Sequence, residues 1–224
     1  MNNLSAIDKK VLGVNDLEVI HGKTVNQCKA LDMLLDGLNT CLVGYAGTGK
    51  TFLALYSALR LCLDKNETVD RVVIVRSAVP VRDLGFLPGT VEEKMEVYEM
   101  PYVAICRELF GRATAWDKLK KQGVCSFIPS SYVQGLTLDN TIVIVDEFQN
   151  MTGSELDAII TRIGVNSQLV LCGDYIQSFI KDKRCLSIVG ILESIGSPVI
   201  TFTEQDIVRS GFVKDYIIAR ERLQ

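Results

Sequence analysis

The stretch Gly44-Tyr45-Ala46-Gly47-Thr48-Gly49-Lys50-Thr51 constrains this chain more than any other. It lies between a short apolar run, "NTCLVGY", and a long amphipathic one, "KTFLALYSALRLCLD". Glycines let a backbone close into a concave nest in which several N–H groups face one anion. A helix starting near Lys50 adds about half a positive charge at its N-terminus, aimed at the same point. With a strand before it and a helix after it, Gly44-x-x-x-x-Gly49-Lys50-Thr51 has the pattern of a phosphate-binding loop. In such a loop Lys50 reaches the β- and γ-phosphates of ATP, and the Thr51 hydroxyl ligates Mg²⁺. Gly44, Tyr45, Ala46, Gly47, Thr48, Gly49, Lys50, Thr51 and Phe52 are therefore the expected nucleotide-binding residues.

The rest of the chain alternates in the same way. Residues 25–37 carry Cys28, Leu31, Leu34 and Leu35 at helical spacing, and Phe52, Leu55, Tyr56, Leu59 and Leu63 repeat it after the loop. "RVVIVR" (71–76), "VCSFI", "TIVIVDE" (141–147), "SQLVLCGD" and "PVITF" read as strands. Between 77 and 123 the pattern loosens; Gly85, Pro88, Gly89 and Pro101 mark turns ahead of a helix containing Trp116. Continuous apolar strands separated by helices predict an α/β fold, a mostly parallel sheet with helices on both faces. With no repeat or linker evident, residues 23–224 read as a single domain behind an N-terminal extension, 1–22.

Ligands of such sheets bind beyond the carboxyl ends of the strands. Asp146 and Glu147 fall at one such end. Two adjacent carboxylates there are costly unless a cation shares the site; beside a phosphate loop, Asp146 is the expected holder of Mg²⁺. Glu147 is placed to polarise a water, which favours hydrolysis over transfer to an organic acceptor. The alternative is a solvated pair capping a helix start. Gly173-Asp174-x-x-Gln177 follows another strand: Gln177 could bond the γ-phosphate or the attacking water, or the cluster is an ordinary turn.

Composition closes other routes. A single histidine, His21, leaves no room for multi-histidine metal sites or histidine-based triads. Seven cysteines without a C-x-x-C pair argue against zinc or a disulfide framework and fit a reducing compartment. No apolar run approaches the roughly 20 residues that span a bilayer, and "MNNLSAIDKK" lacks a signal peptide's apolar core. A cytoplasmic protein with no membrane association is expected. With a net charge of −3, any nucleic-acid binding must use a local basic surface.

Taken together, "GYAGTGKT", "LGFLPG" (84–89) with Glu93-Lys94 and Tyr98, and "TLDNTIVIVDEFQN" (137–150) resemble the PhoH-like family of P-loop ATPases. "TRIG" (161–164), "GDYIQ" (173–177) and Asp206-x-x-Arg209 extend the likeness over nearly the whole chain, from about Lys23. That family is related to superfamily 1 helicases. The resemblance implies a RecA-like core in which the strand ending at Gly173 lies between the loop strand and the Asp146 strand, bringing Gln177 into the site. Gln27 aligns with the glutamine that helicase relatives use to grip adenine, or is an exposed helix residue. Arg209 matches an arginine able to act as a finger on the γ-phosphate, from its own or a neighbouring subunit, or else pairs with Asp206 or Glu204. Gln134 and Leu136 stand where the family commonly has arginines, and Phe179 where an acid is usual.

Helicase motors close two RecA-like domains on one nucleotide, and this chain has length for one. The second jaw is expected from another copy; the resemblance implies a homo-oligomer, a hexameric ring. Arg76, Arg82, Lys94 and Tyr98 are the candidate contacts to RNA or single-stranded DNA, arginine and lysine to phosphates and the aromatic on a base; four glutamates among residues 92–99 would repel phosphate, and the alternative is a solvated charged face. Two classes of function remain: an oligomeric ATPase acting on nucleic acid, and a slow nucleotide-dependent scaffold acting on a protein.

Overall fold

The computed structural model describes residues 11–77, 91–174 and 184–222. The strands are Thr40–Gly44 (β1), Arg71–Arg76 (β2), Cys125–Pro129 (β3), Thr141–Asp146 (β4), Gln168–Gly173 (β5) and Val199–Phe202 (β6). They form one six-stranded sheet, order β3-β2-β4-β5-β1-β6, and every pairing is parallel. As expected, β5 lies between β1 and β4. The helices are Val25–Leu35 (α1), Lys50–Leu63 (α2), Val91–Phe110 (α3), Ala115–Lys121 (α4), Gly153–Ile160 (α5), Arg184–Ser194 (α6) and Gly211–Arg222 (α7).

Successive side chains of a strand point to opposite faces, and here both faces are covered. Val72 and Ile74, Ile142 and Ile144, Val170 and Cys172 pack against α1 to α4. Their neighbours Val73, Val75, Val143, Val145, Leu169 and Leu171 pack against Leu156 and Ile159 of α5 and Ile188 and Leu192 of α6. That double burial is why the strand sequences are apolar without alternation.

The turn expected at Pro101 is absent: the proline lies inside α3. A proline in a helix interior costs about 3 kcal/mol. Tyr102, Cys106, Leu109 and Phe110 repeat at helical spacing and are buried, and burying each large apolar side chain contributes about 1.5–3 kcal/mol. Packing of that stripe outweighs the lost hydrogen bond.

Part of the N-terminal stretch is packed as well. Leu12 and Leu17 are buried in the core, and Glu18 N donates to Leu109 O at 2.8 Å. Leu12 exchanges two hydrogen bonds with the Gln122 amide, at 2.9 and 3.0 Å. Among the described residues, no helix is long and apolar enough to cross a membrane.

Candidate functional site

The carboxyl ends of β1, β4 and β5 open into one cleft of about 920 Å³. On the β1 side its floor is backbone. Gly44 has φ +114° and pairs with Phe202 of β6, whose carbonyl a Cβ would strike. Gly47, at φ +73°, lies beneath the Arg209 side chain; a Cβ there would come 2.9 Å from Arg209 Cγ. Lys50 is buried, and its Nζ donates to Gly44 O at 2.7 Å and Tyr45 O at 2.6 Å. The ammonium thus sits across the mouth of the nest, where an anion held by the loop would meet it. Burial lowers the Lys50 pKa, a shift opposed by Asp174, Cys172, Glu147 and Asp146 around it.

Gln27 is not an exposed helix residue. It is 4% exposed, donates to Thr48 O at 2.9 Å and accepts from Lys23 N at 2.8 Å. Its amide therefore braces the loop from α1 while lining the cleft. The connection after β6 braces the loop from the opposite side, with Val208 N donating to Gly47 O at 3.1 Å. Asp206 is occupied by Thr24 Oγ1 at 2.5 Å, Asn26 Nδ2 at 2.8 Å and Thr203 N at 2.8 Å. Arg209, left to itself by that acid, reaches over Gly47 into the cleft of its own chain.

On the β4 side the floor is made of side chains. Asp146 is 4% exposed; Thr51 Oγ1 donates to its Oδ1 at 2.7 Å and Tyr102 Oη to its Oδ2 at 2.9 Å. The chain then leaves the strand abruptly. Glu147, expected as the last strand residue, is left-handed at φ 53°. The other described non-glycine residues with positive φ are Asn140 and Asn166, a type that tolerates this region; for glutamate it is strained, as functional positions often are. The turn swings the Glu147 carboxylate to the cleft, where Gln149 Nε2 donates to Oε2 at 2.5 Å. Burial, and then Asp146 beside it, raise the Glu147 pKa; Gln149, Arg76 and Lys50 oppose the shift without cancelling it. The same Gln149 accepts from Asp174 N at 3.0 Å, tying the end of β4 to the end of β5.

Two hard oxygen donors, Thr51 Oγ1 and Asp146 Oδ1, thus face each other at the mouth of the anion nest, the donor set a small divalent cation takes. Arg76 lines the same cleft close to Asp146 and Glu147, while Tyr98 is half-buried on α3. Gln177 and Arg82, and the side chain of Lys94, lie outside the described residues. Two members of the site had no part in the reading of the sequence. Gln149 was visible only as a letter of "DEFQN", and Tyr102 has the helical spacing of an ordinary core residue.

The family model described as PhoH-like protein matches residues 19–221. The PhoH-like protein of Synechocystis sp. is 33% identical over 210 residues, 92% of this chain and 63% of that protein. The Bacillus subtilis PhoH-like protein is 33% identical over 185 residues, 80% of this chain and 57% of its own length. Protein PhoH of Escherichia coli K12 is 31% identical, over 75% of this chain and 49% of that protein. The chain therefore spans about half to two thirds of the length of these curated relatives. Among solved structures, the large terminase of a thermophilic bacteriophage matches 86% of this chain and 49% of its own, with a TM-score of 0.52 and 13% identity. The same terminase in complex with ADP gives a TM-score of 0.51 at 14% identity, with 86% of this chain and 48% of that one covered. These likenesses are of fold.

Proposed function

This chain belongs to the PhoH-like protein family, and from that premise we propose that it is a magnesium-dependent ATPase of the cytosol, working as a homo-oligomer on RNA or single-stranded DNA. The observation that carries the proposal is the Thr51–Asp146 contact of 2.7 Å, set between the Lys50 nest and the strained Glu147. The main-chain N–H groups of residues 46–51 and Lys50 Nζ bind and orient the triphosphate. Thr51 Oγ1 and Asp146 Oδ1 would hold Mg²⁺, whose contribution is to neutralise charge on the β- and γ-phosphate oxygens.

Glu147 takes one proton from the attacking water onto a carboxylate oxygen as that water's oxygen bonds to the γ-phosphorus and the bond to ADP breaks. In the chain without nucleotide or metal, burial and Asp146 raise its pKa, the direction that strengthens a base. Gln149 holds the carboxylate in place, and Arg209 stands over the loop on the phosphate side. Gln177, three residues after Asp174 in the sequence, would contact the γ-phosphate or the water. A phage terminase of this fold has been solved in complex with ADP, which supports nucleotide binding here.

The test is phosphate release from ATP with and without Mg²⁺. Lys50→Ala abolishes it, and Glu147→Gln lowers turnover about 10²–10⁴-fold while keeping its nucleotide. Wild-type turnover in Glu147→Gln removes that residue from the base role; no heat on titrating Mg·ATP into native protein ends the ATPase reading. Stimulation by single-stranded RNA or DNA across a salt series, with a native mass of several subunits, supports the nucleic-acid oligomer. A monomer without stimulation supports instead the slow scaffold acting on a protein.

A further inference from the structure

Asp146 is held from two sides, and only the Thr51 side belongs to a loop whose role is already accounted for. The other partner, Tyr102, comes from α3, directly after Pro101, where that helix walls the cleft. Its ring is fully buried and tilted against Trp116 and Phe127, with centroids 6.0 and 5.9 Å away. Packed in this way, the phenol has one place to put its proton, and that place is Asp146 Oδ2 at 2.9 Å. Arg76 lines the same cleft and acts electrostatically on both the phenol and Asp146.

A phenylalanine would fill this space without a polar atom to satisfy, so the hydroxyl needs a reason beyond packing. A carboxylate that offers one oxygen to a divalent cation is oriented by whatever bonds the other oxygen. Without the phenol, Asp146 is held from the Thr51 side alone, and its Oδ2 loses its orientation. That change takes negative charge away from the place where a metal would need it.

We propose that Tyr102 is a positioning residue for the divalent cation, locking Asp146 with Oδ1 towards Thr51. This deepens the ATPase reading and rests on it. It also gives α3 a direct hold on the metal carboxylate, through a single hydrogen bond.

The test compares wild type with Tyr102→Phe, which keeps the ring and removes one oxygen. Mn²⁺ is titrated in the presence of ADP and followed by electron paramagnetic resonance; metal-free ADP binding and metal-free melting are measured alongside. At a temperature where it is fully folded, Tyr102→Phe binds Mn²⁺ about ten- to a hundredfold more weakly, with metal-free ADP affinity unchanged. Equal Mn²⁺ affinity in wild type and Tyr102→Phe overturns the proposal and leaves the ATPase reading standing. So does a loss matched by an equal fall in metal-free ADP binding. A wild-type protein that binds no Mn²⁺ with ADP overturns both.

Discussion

At the end of β1 the polar contacts run mainly to main-chain atoms: Lys50 to Gly44 O and Tyr45 O, Gln27 to Thr48 O, Val208 N to Gly47 O. At the end of β4 they run between side chains: Thr51 and Tyr102 to the two oxygens of Asp146, Gln149 to Glu147. A site drawn by the backbone depends on where the chain goes, so it is vulnerable to a single Cβ and indifferent to much side-chain chemistry. One drawn by side chains depends on individual oxygens and nitrogens, so changes that preserve shape are enough to damage it. The first suits an anion of several oxygens, gripped by many weak donors. The second suits a metal and a proton, each needing one atom in one place.

Substitutions can break this contrast. The largest effect is expected from Gly44→Ala, where a methyl group meets the Phe202 carbonyl in a left-handed conformation. Denaturant unfolding should show a loss of about 2–4 kcal/mol; a loss below about 0.5 kcal/mol, the scale of a surface change, would show that the loop is not drawn by its backbone. Gln149→Leu comes next. It keeps the volume but leaves the buried Asp174 N–H without this acceptor, at about 1–3 kcal/mol. It also frees Glu147, so turnover should fall with the Michaelis constant for ATP little changed; a change confined to the Michaelis constant would move Gln149 to the binding side.

The smallest effect is on Glu147→Gln stability, and its sign is informative. Burial, with Asp146 adjacent, holds the Glu147 pKa above its ordinary value in the folded chain, so folding favours the protonated form. That contribution is complete below the unfolded pKa and is lost as pH rises through the folded one. At neutral pH the wild type carries a carboxylate that the fold disfavours. Glu147→Gln should therefore melt higher than wild type at pH 7, and the gain should vanish as pH falls below the ordinary glutamate range. A variant less stable at pH 7 would mean that the contact from Gln149 outweighs the burial.

Strand and helix positions are legible because burial on one or two faces leaves a period in the sequence. "RVVIVR" is β2 from end to end, and the loop motif with its flanks places β1, α2 and the cleft. What the period does not carry is how one polar atom meets another across the fold. Tyr102 and Asp146 lie 44 residues apart, Thr51 and Asp146 95; motif logic pairs the second couple, and no local pattern marks the first. Likeness to helicase glutamines singles out Gln27, yet its bracing of Thr48 depends on how α1 packs. Pro101 misleads for a related reason, since local propensity is a weak term beside the apolar stripe that follows it. Glu147 continues the strand in the sequence, whereas the site turns it away.

The two bonds that finish the phosphate loop on its β6 side come from Phe202 O, which accepts from Tyr45 N, and from Val208 N, which donates to Gly47 O. During synthesis, a nascent chain complete through β5 would still present β1 as a bare sheet edge, open to pairing with other polypeptides. Its glycines would be made long before anything fixes their shape. The grip on an anion is thus a late acquisition of the growing polypeptide, and translation arrested before residue 199 yields a product with the full motif and an unfinished nest.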